Sequence, residues 1–110
     1  MDNFFTKSYT TEFRFAEIID AASTVTVWTP ISGKRIVLTN LTVASGPGGT
    51  IQFFFDGNSR RFEFFAGSSS TITPNIGNME STLVSQALVA RVSGATSGGW
   101  RITAQGFEAD

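Results

Sequence analysis

The chain has 110 residues, a formal net charge of −1, and neither cysteine nor histidine. Its length is that of one domain. The two missing residue types exclude disulfides, thiolate metal sites, cysteine nucleophiles and histidine bases. The 8 basic and 9 acidic residues are scattered along the chain, so there is no basic stripe to neutralise nucleic-acid phosphates. This composition favours a non-enzymatic protein that holds no metal or other cofactor and does not contact nucleic acid directly.

Glycine and phenylalanine are both abundant, at 11 residues each, while only 15% of the residues are charged. This balance favours short strands joined by tight turns over helices. No apolar stretch is long enough to span a membrane, and residues 1–7, with the acidic Asp2, lack the organisation of a signal peptide. We therefore expect an all-β protein with no membrane partner.

An N-terminal arm, residues 1–9, is predicted to precede a domain at residues 10–110. The alternation Glu12-Phe13-Arg14-Phe15 predicts a half-buried strand with both rings on one face. Residues 23–28 form a β-branched run that predicts a second strand. Pro30 marks its end, because proline cannot donate a hydrogen bond to a neighbouring strand.

The third predicted strand, residues 34–44, changes its hydrophobic phase in the middle. Ile36 and Leu38 share one phase, and Leu41 and Val43 share the other. One extra residue in a strand exchanges its two faces. We therefore predict a bulge or bend near Asn40.

Residues 50–55 and 60–66 are two strand-like runs separated by a segment with Asp56-Gly57, which predicts a hairpin. The pairs Phe53/Phe55 and Phe62/Phe64 each share a phase. Phe54 and Phe65 fall on the opposite side. This hairpin therefore carries aromatic rings on both faces.

The second half of the chain is predicted to hold further short strands. Residues 68–74 predict one strand, and residues 88–92 and 100–104 alternate as strands on either side of a long glycine-rich turn. Residues 79–86 have apolar spacing compatible with a helix as well as a strand, and we interpret them as a loop or single turn. About eight short antiparallel strands result, which favours a jelly-roll β-sandwich.

Several residues are of types that take part in catalysis or ligand binding in other proteins. Carboxylates lie near the predicted strands at Glu12, Glu17, Asp56 and Glu63. Each occupies an outward or turn position, where contact with solvent is enough to explain a charged side chain. The serines at 68–70 have no base to activate them. Gly46, Gly48 and Gly49 lack the lysine and hydroxyl residue of a phosphate loop. We therefore expect no catalytic and no metal-binding residue.

The aromatic residues are more informative, because they make up 13% of the chain, more than one face of each strand can easily bury. Aromatic residues are enriched in subunit interfaces. The candidate interface residues are Phe4, Phe5, Trp28, Phe54 and Phe65. Alternatively, Trp28, Tyr9 or Phe54 could form a stacking platform for a sugar, whereas the phase of Trp100 indicates a core position.

Three segments resemble small jelly-roll decoration or cement proteins of tailed bacteriophage virions. They are residues 30–36, the Gly48-Gly49 turn, and residues 88–92 with the turn at 93–99. The resemblance extends over roughly residues 23–107. It implies a homotrimer made in the host cytoplasm and bound to the major capsid protein on the capsid surface. It supplies no catalytic residue.

The leading hypothesis is therefore a capsid decoration protein that assembles as a homotrimer. A carbohydrate-binding β-sandwich module and a phage tail or fibre domain stay open as alternatives.

Overall fold

The computed structural model describes residues 11–18, 24–46, 48–55, 62–92 and 99–110. These ranges contain nine β-strands and no helix. The strands are β1 (Glu12–Ile18), β2 (Thr24–Trp28), β3 (Arg35–Ser45), β4 (Gly49–Phe55), β5 (Phe62–Ala66), β6 (Ser70–Ile72), β7 (Met79–Glu80), β8 (Leu88–Val92) and β9 (Trp100–Ala109). Among the described residues there is accordingly no helix long and apolar enough to cross a membrane.

The strands form two antiparallel sheets that pack face to face. One sheet has the order β1-β9-β3-β6, with β7 paired to β3, and the other has the order β2-β8-β4-β5. When the two-residue β7 is set aside, the remaining eight strands have the jelly-roll order, in which the first strand lies beside the last. The predicted jelly-roll sandwich is confirmed, with β7 as an additional short strand.

The core lies between the sheets and is built from alternate side chains of the long strands. Its largest fully buried members are Trp28, Trp100, Phe53 and Phe55, so the predicted core position of Trp100 is confirmed. Phe62 and Phe64 of β5 are partly buried against this core. The Phe53 and Phe62 rings stack with their centroids 5.4 Å apart.

The predicted irregularity in β3 is also confirmed. The pairing of β3 with β9 shifts register between Leu38 and Asn40. As a result Ile36 and Leu38 before the shift, and Leu41 and Val43 after it, all reach the core. Across this bulge, Gly106 of β9 approaches β3 so closely that an added Cβ would lie 2.1 Å from the Val37 carbonyl oxygen.

The ambiguous stretch at residues 79–86 is not helical. It contains β7 and a turn, and Ser81 of this stretch is buried, with its hydroxyl donating to the Leu83 carbonyl at 2.9 Å. The Ser85 amide donates to the Lys34 carbonyl at 2.7 Å. This bond and the one from the Ser81 amide to the Ile36 carbonyl, at 3.0 Å, hold the segment against the start of β3.

Candidate functional site

Of the five predicted interface residues, the structure describes Trp28, Phe54 and Phe65, and it does not bring these three together on one surface. Phe4 and Phe5 lie outside the described residues, as does Tyr9. Phe54 and Phe65 lie on the outer face of the β2-β8-β4-β5 sheet, because their neighbours Phe53 and Phe64 point inward. Trp28 is in the core.

The prediction that Trp28 serves as a surface residue is wrong, for an interface and for a sugar platform alike. Its side chain is 1% exposed. The pairing of β2 with β8 shifts register between Thr26 and Trp28, so Val27 and Trp28 both become buried. Strict alternation would have placed these two consecutive side chains on opposite faces.

Trp28 belongs to a polar cluster at one end of the sandwich. Its indole Nε1 donates to Glu108 Oε2 at 2.9 Å, and the Ile31 amide donates to Glu108 Oε1 at 2.9 Å. The Arg14 guanidinium lies 4.7 Å from the centroid of the Trp28 ring and 3.9 Å from Glu108. Glu108, whose side chain is 7% exposed, therefore joins β9 to the end of β2, the loop that follows it, and β1.

The outer face of the β2-β8-β4-β5 sheet carries a row of polar side chains across all four strands, which we call the polar row. Cross-strand pairing aligns Thr24, Arg91, Gln52 and Glu63 in this order. Arg91 Nη2 donates to Gln52 Oε1 at 3.0 Å, and Gln52 Nε2 donates to Glu63 Oε2 at 3.2 Å. The polar row therefore contains a continuous chain of hydrogen bonds from Arg91 to Glu63.

Two phenylalanines lie on either side of the polar row. The Arg91 guanidinium lies 5.7 Å from the centroid of the Phe54 ring, so Phe54 supports Arg91 and is partly covered. Phe65 is 73% exposed and lies two residues from Glu63 on the same face of β5. The open ring on this face is therefore Phe65.

The opposite surface of the molecule carries two exposed rings whose orientation the sequence pattern did not determine. Phe13 and Phe15 share one face of β1, as predicted, but this face points outward, and the rings are 52% and 75% exposed. The inward face of β1 holds Arg14, Ala16 and Ile18 instead. The fact that Ala16 and Ile18 share the phase of Arg14 was the available signal for this orientation.

The carboxylates considered for catalysis do not converge. Glu12 faces inward, contrary to expectation, and pairs with Arg14 at 2.6 Å, whereas Glu17 is exposed on β1. Glu63 belongs to the other sheet, and Asp56 lies outside the described residues. Within the described ranges there is no group of three or more potential metal ligands and no pocket.

Comparison with known proteins shows that the fold of this chain is similar to that of a solved structure. No protein family matches the sequence, and no curated protein matches it. A chain of the solved structure "Cyanophage Pam1 capsid asymmetric unit" is similar with a TM-score of 0.58 and 16% sequence identity, and the similarity covers 97% of this chain and 91% of that one. This chain therefore shares its fold, over nearly its whole length, with a component of a cyanophage capsid structure.

Proposed function

We propose that this protein is a non-enzymatic virion component, a capsid decoration or cement protein that assembles as a homotrimer on the capsid surface. The observation that carries the proposal is the jelly-roll fold, which matches a chain of a phage capsid structure over 97% of the present chain. The partners would be further copies of the chain and the major capsid protein.

The exposed rings of β1 support an assembling role. Phe13 and Phe15 lie together on an outer face, beside the polar side chains of Gln105 and Thr103 on β9. Contact with a partner removes the apolar surface of these rings from water. This burial contributes about 25 cal/mol of favourable free energy per Å². The arm with Phe4 and Phe5 precedes this strand in the sequence. We place the contacts between the protein and its partners at β1 and the arm.

Light scattering of the purified chain tests the assembly. We expect the mass of a trimer, and a lower mean mass at the same concentration for the double variant Phe13→Ser/Phe15→Ser and for a chain without its first ten residues. Phe65→Ser is the matched control, because it removes an equally exposed ring from the opposite face. A monomeric mass for the unaltered chain at all concentrations would contradict the homotrimer.

Co-sedimentation tests the capsid role. Capsids of the phage that encodes the chain, prepared without this protein, are mixed with the purified protein and pelleted. We expect saturable binding that the Phe13→Ser/Phe15→Ser variant weakens. Recovery of all the protein in the supernatant would contradict a decoration role.

A further inference from the structure

One end of the sandwich carries an exposed apolar surface that β1 and the arm do not explain. Ile31 lies on the loop between β2 and β3, and Leu83 and Val84 lie on the loop between β7 and β8. These three side chains, which we call the end patch, are 69%, 64% and 48% exposed. We propose that the homotrimer contacts an apolar site on the major capsid protein through the end patch. The proposal rests on the proposed function and names the part of the chain that touches the capsid.

Hydrogen bonds between the two loops bring the end patch together. The Gly33 amide donates to the Ser85 hydroxyl at 2.8 Å, and the Ser85 amide donates to the Lys34 carbonyl at 2.7 Å. The Lys34 amide in turn donates to the Ile31 carbonyl at 2.9 Å. Ser85 directly follows the two apolar residues of its loop, so the turn that begins at Ile31 lies beside them.

The loop that carries Leu83 and Val84 has a fixed shape. The hydroxyl of the buried Ser81 donates to the Leu83 carbonyl at 2.9 Å, and the Leu83 amide donates to Oε1 of the buried Gln86 at 3.1 Å. Ser85 has a φ of 63°, a left-handed conformation that residues other than glycine seldom adopt. Such conformations persist where the surrounding contacts enforce them, and they concentrate in binding segments. Because the loop is already ordered, it loses little conformational entropy when a partner covers it.

The charged side chains beside the end patch are engaged within the chain. Lys34 forms an ion pair with Asp110, and Arg35 pairs with Glu80 at 2.9 Å. The free energy of binding at this end therefore comes mainly from the burial of aliphatic surface. Isoleucine, leucine and valine side chains offer neither a charge nor a hydrogen bond, so the matching surface of the partner is apolar as well.

The size of the end patch favours the capsid over a second free copy of the chain. Three aliphatic side chains exposed to this degree present on the order of 200 Å² of apolar surface, whereas a standard interface buries about 800 Å² on each partner. One end patch is therefore too small to hold two free molecules together. A homotrimer with cyclic symmetry presents three equivalent patches, and binding of one raises the effective concentration of the others. A capsid, in which the major capsid protein repeats in a fixed array, is a partner that uses all three.

Co-sedimentation with capsids that lack this protein, combined with light scattering, tests the end patch. We expect Leu83→Ser/Val84→Ser to keep the oligomeric mass and to need a concentration at least about tenfold higher to half-saturate the capsids. Ile31→Ser, on the other loop, should weaken binding in the same direction. These substitutions change exposed side chains and leave the backbone hydrogen bonds of both loops in place, and the melting temperature of each variant verifies folding.

Two further variants serve as controls. Phe65→Ser removes an exposed ring from the outer face of a sheet, and it should change neither the oligomeric mass nor capsid binding. Phe13→Ser/Phe15→Ser should weaken capsid binding together with a lower mass, whereas the Leu83→Ser/Val84→Ser variant should weaken it at unchanged mass. This difference separates contact with the capsid from contact between copies of the chain.

Photo-crosslinking identifies what covers the end patch. The chain has no cysteine, so benzophenone maleimide can be attached to a single Ser32→Cys, at an exposed position next to Ile31. Irradiation of the labelled protein on capsids should give an adduct with the major capsid protein, and the same label at Phe65→Cys should not. An adduct between two copies of this chain from the Ser32→Cys label would overturn the proposal.

The outcomes distinguish this inference from the decoration role. If the unaltered protein does not pellet with capsids, the decoration role fails and the inference fails with it. If the unaltered protein and the Leu83→Ser/Val84→Ser variant pellet equally well, the end patch is not the contact, while the decoration role stands. A lower oligomeric mass for Leu83→Ser/Val84→Ser would also overturn the proposal, because the end patch would then lie between subunits.

Discussion

Gly106 is a residue at which the fold cannot accept a side chain without a shift of the backbone. It lies in β9 opposite Leu38, next to the β3 bulge, where the two backbones approach so closely that a Cβ would overlap the Val37 carbonyl oxygen. Only glycine fits, for steric reasons, since any other residue would push the two central strands apart.

We expect Gly106→Ala to lower the free energy of unfolding by about 3 kcal/mol, because overpacking in a closed site forces the backbone to shift. Urea denaturation followed by tryptophan fluorescence measures the change. Gly67→Ala is the control, since a Cβ at that position makes an ordinary contact of 3.7 Å with the Ser70 hydroxyl. Equal stability of both variants would contradict the steric argument.

Glu108 is a second residue whose substitution should destabilise the fold. Its carboxylate accepts two hydrogen bonds, and its side chain is only 7% exposed to solvent. In Glu108→Gln one carboxylate oxygen becomes an NH₂ group, so a donor then faces either the Trp28 indole N–H or the Ile31 amide. We expect a loss of about 2 kcal/mol, the usual magnitude for a hydrogen bond to a charged group.

Thermal unfolding of Glu108→Gln alongside Glu80→Gln checks this expectation. Glu80 pairs with Arg35 at 2.9 Å, but its side chain is half exposed, and such surface pairs contribute less than about 1 kcal/mol. If both variants melt together, the buried carboxylate is not the stabilising member of the cluster.

Among the elements, β3 shows how far hydrophobic pattern predicts structure. Its phase change between Leu38 and Leu41 is visible in the sequence, and the structure places the bulge there. In β2 the same reasoning fails, because the two adjacent apolar residues at the end of the strand, Val27 and Trp28, do not by themselves reveal a bulge. The burial of Trp28 could therefore not be predicted from spacing alone.

The orientation of β1 could not be predicted, for a different reason. The strand has two apolar phases, Phe13 with Phe15 and Ala16 with Ile18, and alternation alone does not show which phase faces the core. The structure buries the smaller pair, because Arg14 in that phase reaches Trp28 and Glu108. A contact between residues so far apart in sequence carries no local signal. The candidate rings at Phe54 and Phe65, by contrast, follow directly from the alternation in the hairpin.

The bulge in β3 gives a prediction at the scale of the element. Deleting Thr39 removes the extra residue of the bulge and places Ile36, Leu38, Leu41 and Val43 in one common phase, so that a regular strand can turn all four toward the core. We expect the deletion variant to fold, with the circular dichroism spectrum of the unaltered protein. Thr39→Ala keeps the residue count and removes only the hydroxyl bond to the Gln105 carbonyl at 3.1 Å, so it should fold with a cost of about 1 kcal/mol. An unfolded deletion variant would show that the bulge is needed for more than the hydrophobic phase.

At the scale of the whole molecule, the sandwich has two outer faces that present different chemistry. One carries Phe13 and Phe15, and the other carries Phe65 with the polar row. Because the faces point in opposite directions, one can be covered by partners while the other stays in contact with solvent.

The position of β9 also determines when the chain can fold. This last strand lies between β1 and β3, and among the described residues β1 has β9 as its single sheet neighbour. During synthesis β1 therefore waits for β9, which follows much later in the chain, before it can form its sheet. Pairing of strands so distant in sequence is slow. Until β9 arrives, the exposed rings and strand edges of the nascent chain need protection from aggregation.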